Sequence, residues 1–292
     1  MCSIPVDGTT PVFAVLGNPI GHSLSPAMYN AAFRALRMNS IYVALPADHQ
    51  RPADVVKGIR ALGLRGGNVT IPLKEAIVPY LDGITEEARL IGAVNTFYWE
   101  KGTKALWGDN TDGAGFLAAI RKVRPQVLRE RSALLLGAGG AARAVAVSLA
   151  LTGLKELTII NRNLEKAAAL AGQVEKLGMK VQILSWPQGE EQDFKELFRE
   201  CALIVNTTPL GMSPHEEAYP PIKEAWLHSG QLVVDLIYRP RETAFLRKAK
   251  AAGCLTLNGL SMLLEQGVLS FQRWAGKPAP VEIMARELER WV

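Results

Sequence analysis

The stretch ALLLGAGGAARAVAVSLAL (133–151) decides how this 292-residue chain is read. It opens on a short apolar run of strand length and closes on a helix-like segment rich in alanine. Between them stands Gly137-x-Gly139-x-x-Ala142. Glycines at a strand-to-helix turn serve a physical purpose. The first permits a tight turn, the second lets backbone approach a pyrophosphate, and the small third residue keeps helix and sheet close. Unpaired N–H groups at the helix start then offer donors and partial positive charge to a phosphate. The same turn without a ligand would be a tightly packed junction; the strand before it and the helix after it favour a dinucleotide.

The pattern extends on both sides. Downstream, ELTIIN (156–161), KVQIL (180–184), ALIVN (202–206), QLVVDL (231–236) and CLTL (254–257) are short β-rich runs, with helical segments through Leu151 and Leu177. Upstream, VFAVLG (12–17), IYVAL (41–45) and GGNVTI (66–71) read as strands. SPAMYNAAFRALRM (25–38), PADVVKGIRALG (52–63) and TEEARLIG (85–92) read as helices. Residues 93–108 suggest a hairpin turning near Lys101-Gly102, and 111–123 a helix. Strands spaced by helices predict βαβ units, so the fold class is α/β with mostly parallel, doubly wound sheets. The basic segment RPQVLRERS (124–132) is a candidate boundary. Its arginines, with Arg121 and Lys122, carry no interleaved aromatics, so a solvated helix end and linker is expected there, and no nucleic-acid partner.

Composition narrows the class. Hydrophobic residues make up 48% and charged residues 21%, which excludes a disordered or fibrous chain. The net charge of +5 suits anionic ligands. Cys2, Cys201 and Cys254 are odd in number and far apart, without zinc-site spacing, so no disulfide framework and no metal are expected, and a reducing cytoplasm is. The start MCSIPVDGTTPVFAV lacks a basic region followed by a long apolar core, so no signal peptide is expected. Gly137, Gly139, Gly140 and Arg143 break the most apolar region, so no membrane span is expected either.

The strand after the glycine turn ends TIINRN (158–163). An NAD site usually places a carboxylate there to bind the ribose 2′-hydroxyl. Here no acidic residue comes before Glu165, whereas Arg162 is placed for a 2′-phosphate with Lys166 nearby. A planar guanidinium pairs well with a phosphate dianion, so NADP is expected over NAD.

Four segments of the first half carry polar residues that a simple core does not need. In GNPIGHSLSP (17–26), Ser23 and Ser25 stand at a helix entrance after a strand, either as a carboxylate cradle or, for Ser25, as an N-cap before Pro26. In NVTIPLKE (68–75), Asn68 and Thr70 share a strand face, and Lys74 falls in a first helical turn. A cation is disfavoured at that end of a helix, which suits acid–base work. In GAVNTFYW (92–99), Asn95 is polar within a strand-like run. In GDNTDG (108–113), Thr111 and Asp112 are candidate helix caps, and Asp109 is a second carboxylate that competes with Asp112 for a functional role.

These motifs, together with GAGGAAR, NR and GLSMLLEQG (259–267), occur in the order seen in shikimate dehydrogenases, and the chain resembles that family over nearly its whole length. The resemblance implies two α/β domains flanking a cleft. A substrate domain of 1–112 would be completed by 262–292, with a Rossmann-like NADP domain over 113–261. It implies NADPH-dependent reduction of 3-dehydroshikimate to shikimate, on the route to chorismate and aromatic amino acids. Catalysis would fall to Lys74 and Asp112. Ser23, Ser25, Thr70, Lys74, Asn95, Asp112, Tyr238 and Gln266 would surround the substrate. Gly137, Ala138, Gly139, Gly140, Ala141, Asn161, Arg162, Asn163 and Lys166 would hold the cofactor, with Leu236 and Gly259 on the nicotinamide side. The family contains monomers and dimers. Asn163 and Lys166 stand where the usual pattern has Thr and Arg, and Ser261 where it has Gly. Lysine is the poorer bidentate partner, so a weaker NADP preference is implied. Alternatives are a quinate/shikimate dehydrogenase using NAD and a non-catalytic dinucleotide sensor. A glutamyl-tRNA reductase-like protein would need a reactive-cysteine context that Cys2 lacks.

Overall fold

The computed structural model describes residues 6–130, 132–187 and 192–292. Cys2, Arg131 and residues 188–191 lie outside that range. The chain divides into two compact units, Met1–Thr111 with Gln266–Trp291, and Asp112–Glu265 with Val292. The basic segment 124–130 lies within the second unit. Its core is a short 3-10 turn, Pro125–Arg129, and Arg124 Nη1 donates to the Gly230 carbonyl at 2.7 Å.

The first unit is built on β1 (Val12–Gly17), β2 (Ile41–Pro46), β3 (Gly66–Val69), β4 (Gly83–Ile84), β5 (Thr96–Trp99) and β6 (Leu106–Asp109), in the order β2-β1-β3-β5-β6-β4. β1 runs parallel to both β2 and β3, and β5 is antiparallel to β3 and β6. The sheet is therefore mixed, because the β5–β6 hairpin inserts one reversed strand. The C-terminal ends of β1, β3 and β6 and the start of β5 share one edge. Gly67 lies opposite Ala14, and any Cβ at Gly67 would overlap the Ala14 carbonyl, so glycine alone lets these strands approach.

Helices α1 (Ser25–Ala35), α2 (Pro52–Ala61), α3 (Leu73–Ala76) and α4 (Glu86–Ile91) follow the strands of this unit. α11 (Val281–Glu289) packs on α1. α4 is capped at both ends: Thr85 Oγ1 accepts from the Ala88 N–H, and Gly92 takes a left-handed φ of 73°. An aromatic core joins Phe13, Phe33 and Tyr42 to Phe271 and Trp274, with ring centroids 4.6–6.1 Å apart.

The second unit carries β7 (Ser132–Leu136), β8 (Glu156–Ile160), β9 (Lys180–Leu184), β10 (Leu203–Asn206), β11 (Leu232–Asp235) and β12 (Leu255–Leu257). Their order, β12-β11-β10-β7-β8-β9, is wholly parallel. Read from the other edge it is the 3-2-1-4-5-6 order of the Rossmann fold, with its switch point at β7. α5 (Asp112–Val123) packs on α6 (Gly140–Leu151), and α7 (Leu164–Glu175) follows β8. Any Cβ at Gly113 would overlap the Ser148 hydroxyl, so the α5–α6 approach depends on that glycine.

Two further helices, α8 (Gln192–Glu200) and α9 (Ala244–Ala251), have no counterpart in the sequence analysis. Both are short and heavily charged. α8 is anchored by Phe194 and Phe198, whose rings lie 5.8 and 5.4 Å from that of Trp226. α10 (Gly259–Ala275) begins in the second unit and ends in the first.

Candidate substrate and dinucleotide sites

The candidate functional edge of the first unit is assembled by strand ends. β1 leads into the loop holding Ser23 and from there into α1, which starts at Ser25. The expectation that Ser25 caps the helix is corrected: the N-cap is Leu24, and no side chain makes a capping bond there. Ser25 is instead the first helical residue, and its N–H donates to Ser23 Oγ at 3.3 Å. Ser25 is buried, and its hydroxyl makes no capping bond.

β3 delivers Thr70 and Lys74. The Thr70 N–H donates to Leu16 O and its carbonyl accepts from Leu73 N, both at 2.9 Å. Its methyl occupies the space that a Cβ at Gly17 would need. Pro72 is the N-cap of α3, and Lys74 sits in the only turn of that helix, half-buried. Its carbonyl accepts from Val94 N at 2.8 Å, which ties it to the start of β5, beside Asn95.

Asn95 is the centre of a buried polar network. Its Oδ1 accepts from Thr111 N and Thr96 Oγ1, each at 2.9 Å. Its Nδ2 donates to Thr111 Oγ1 at 3.0 Å and to Gln266 Oε1 at 3.4 Å. Ser270, one turn beyond Gln266 on α10, bonds Thr96 at 2.6 Å and Thr111 at 3.0 Å, and accepts from Asn68 at 3.0 Å. Asn68 in turn accepts from Tyr42 Oη at 2.8 Å. Gln266 and Asn95, predicted from remote segments, are thus in contact. Thr96 and Ser270 were missed because nothing local marks a hydroxyl as buried.

The competition between the two carboxylates resolves in part. Asp109 is buried, accepts from Thr85 Oγ1 at 2.6 Å and from Asn110 N at 2.8 Å, and pairs with Arg273 Nε at 2.7 Å. That is a structural clamp between β6 and α10. Asp112 lies half-buried at the first position of α5, next in the chain to Thr111.

In the second unit, the glycine turn has the form expected. Gly137 takes φ 107°, a value side chains avoid, and a Cβ there would press on Thr207 Oγ1 at 2.6 Å. Gly139 is the N-cap of α6, and no side chain caps this twelve-residue helix. A Cβ at Gly139 or Gly140 would meet nothing within 4 Å, so the approach to the helix start is open. Ala138 is half-buried, and Ala141 is exposed beside it. This open, uncapped helix start with bare backbone fits a pyrophosphate.

Asn161 follows β8, and its Nδ2 donates to Asn163 O at 2.7 Å. Asn163 is the N-cap of α7, its Oδ1 accepting from Lys166 N at 2.8 Å. Arg162 and Lys166 are exposed. At the end of β11, Leu236 N donates to Asn206 O at 3.0 Å. A Cβ at Gly259 would overlap the Leu236 carbonyl, so glycine is required where α10 starts. Tyr238 is half-buried, and burial raises its phenol above the usual range. Among the described residues no cluster suits a metal ion, and no helix is long and apolar enough to cross a membrane.

A wholly parallel sheet with a glycine turn at its switch point, joined to a unit with a polar edge, defines a nucleotide-dependent α/β dehydrogenase. Residues 15–97 match the shikimate dehydrogenase substrate binding domain, 119–192 match shikimate/quinate 5-dehydrogenase, and 259–289 match the shikimate 5′-dehydrogenase C-terminal domain. The chain is 42% identical, over 98% of both chains, to shikimate dehydrogenase (NADP(+)) of Methanothermobacter thermautotrophicus. A crystal structure of a shikimate dehydrogenase in complex with NADP+ superposes with a TM-score of 0.89 at 38% identity, covering 98% of this chain and 97% of that one. The Thermus thermophilus shikimate 5-dehydrogenase, solved with NADP(H) and shikimate, gives 0.84 at 38% identity, with 97% and 100% covered. The chain belongs to the shikimate dehydrogenase family.

Proposed function

We propose that this protein catalyses the reversible, NADPH-dependent reduction of 3-dehydroshikimate to shikimate, the step that serves chorismate and aromatic amino acid biosynthesis. The observation that carries the assignment is the contact of Asn95 with Gln266. These residues are 171 positions apart, yet they meet on the sheet edge that also bears Thr70 and Lys74. The relatives named above carry the same activity in their names.

On this assignment Ser23 and Ser25 hold the substrate carboxylate, with Tyr238 as a further donor. Thr70, Asn95 and Gln266 bind its hydroxyl oxygens. NADPH, when bound, would supply the hydride that the ketone carbon takes up. The Lys74 ammonium donates to the ketone oxygen, stabilises the charge that develops there and gives up a proton. Asp112 orients Lys74 and accepts from a substrate hydroxyl. Backbone N–H groups at Gly139–Ala141 hold the pyrophosphate, and Arg162 with Lys166 binds the 2′-phosphate. The Asn163 side chain is committed to capping α7, so the phosphate clamp rests on those two cations. Leu236 and Gly259 shape the nicotinamide side. The partners are these small molecules, and the protein acts in the cytoplasm, as a monomer or homodimer.

Initial rates with shikimate and with quinate, each with NADP and with NAD, test the proposal. Shikimate with NADP should be the fastest pair. Dominant quinate/NAD turnover would favour the alternative dehydrogenase, and coenzyme binding without turnover with either substrate would favour a sensor.

A further inference from the structure

Leu236 and Tyr238 leave β11 on a short segment without secondary structure, and that segment needs an anchor. The structure supplies one in Asp235. This carboxylate is fully buried at the end of β11. Its Oδ1 accepts from Ile237 N and from Asn206 Nδ2, both at 3.1 Å. Its Oδ2 accepts from Thr243 Oγ1 at 2.7 Å. Each donor belongs to a different piece of chain. Ile237 lies between the two proposed site residues. Asn206 ends β10, and its Oδ1 accepts from both the N–H and the hydroxyl of Thr208, at 3.0 and 2.7 Å. Thr243 caps α9, accepting from Leu246 N at 3.3 Å.

We propose that Asp235 is a positioning residue: its carboxylate locks the 236–238 segment and the 206–208 turn together, so that Leu236 and Tyr238 are presented to nicotinamide and substrate. The inference rests on the function assigned above. Three donors converge on two oxygens with no basic group among them, so the charge is balanced only by hydrogen bonds. Burial raises the Asp235 carboxyl to about 6, so a charge is kept here against a desolvation cost. Three acceptor bonds reach three segments at once, and an apolar side chain cannot provide them.

The test uses Asp235→Ala, which removes every acceptor, and Asp235→Asn, which keeps the volume and one oxygen. Amide hydrogen exchange at residues 208, 236 and 237 should accelerate about tenfold or more in Asp235→Ala, with β7 and β8 amides unchanged. KM for shikimate should rise about fivefold or more, while affinity for 2′,5′-ADP, which probes only the Gly137–Lys166 end, stays within about twofold. Asp235→Asn should show the same pattern at about a third of the size or more, and it carries the test if Asp235→Ala does not fold. Local exchange and KM unchanged in Asp235→Asn, or exchange rising equally in β7 and β8, would overturn the proposal. If wild-type protein lacks shikimate/NADP turnover, the functional assignment fails, and the exchange pattern still judges the anchor.

Discussion

Replacing Asp109 with Asn separates the structural carboxylate from the one proposed to act on substrate, Asp112. In the wild type, Asp109 Oδ1 accepts from Thr85 Oγ1 and Asn110 N, and Oδ2 accepts from Arg273 Nε. An amide placed to keep the first two bonds turns its NH2 toward the Arg273 N–H, donor against donor. The loss is one charge-assisted hydrogen bond, about 1.5–3 kcal/mol. Breaking a fully buried pair costs about 3–5 kcal/mol, because a charge is stranded without solvent. Here the Asp109 side chain is 5% exposed but that of Arg273 is 50% exposed, so the guanidinium can regain water and the lower range applies. It also keeps its place over the Tyr98 ring, 6.0 Å from the centroid. At roughly 2–4 °C per kcal/mol, Tm should fall by about 3–12 °C, read by circular dichroism. At 25 °C, where the variant is folded, kcat should stay within about threefold of wild type. Asp112→Asn should do the reverse, lowering kcat about tenfold or more with Tm within about 2 °C. A hundredfold loss of kcat in Asp109→Asn at unchanged Tm would refute this assignment of roles.

Lys74→Ala should lower kcat about 10²–10⁴-fold with a smaller effect on shikimate binding, because the α3 turn is anchored through backbone; single-turnover rates and binding titrations would check it. Arg162→Ala should raise KM for NADP about tenfold or more and leave KM for NAD within about twofold, since the missing partner is the 2′-phosphate. The pH dependence of stability tests the Asp235 environment. A folded-state value of about 6 against the ordinary 3.8 means that the folded protein binds the extra proton between those values. The Asp235 contribution to stability is therefore full below about pH 4, falls as pH rises, and is lost above about pH 6, a change of about 3 kcal/mol. Urea unfolding at pH 4 and 7.5 should show wild type losing that much more than Asp235→Asn between the two; parallel losses would refute it.

Much of the second unit was legible in the sequence because its signals are local. Gly137 and Gly139 stand within one turn of the strand and helix they join, and the absence of an acidic residue through Asn163 is read directly. Ser25 shows the limit of such signals. Serine before proline is a favourable cap, but Leu24 takes the capping position, and the hydroxyl is left for other work. α8 and α9 escaped because each is short and owes its existence to a few apolar anchors, such as Phe194 and Phe198 stacked near Trp226.

The sequence by itself determined the alternation of strands and helices, the glycine turn and the placing of Arg162 and Lys166, proposed to bind a 2′-phosphate, just after β8, because these depend on periodicity and on neighbours a few residues away. Tertiary structure alone decided that Asp109 is a clamp, since its partner Arg273 is 164 residues distant. It alone decided that Asn95 meets Gln266, that Ser270 joins them from the next turn of α10, and that Asp235 gathers three segments. The physical reason is that a buried polar side chain is defined by the donors and acceptors that chain folding brings to it.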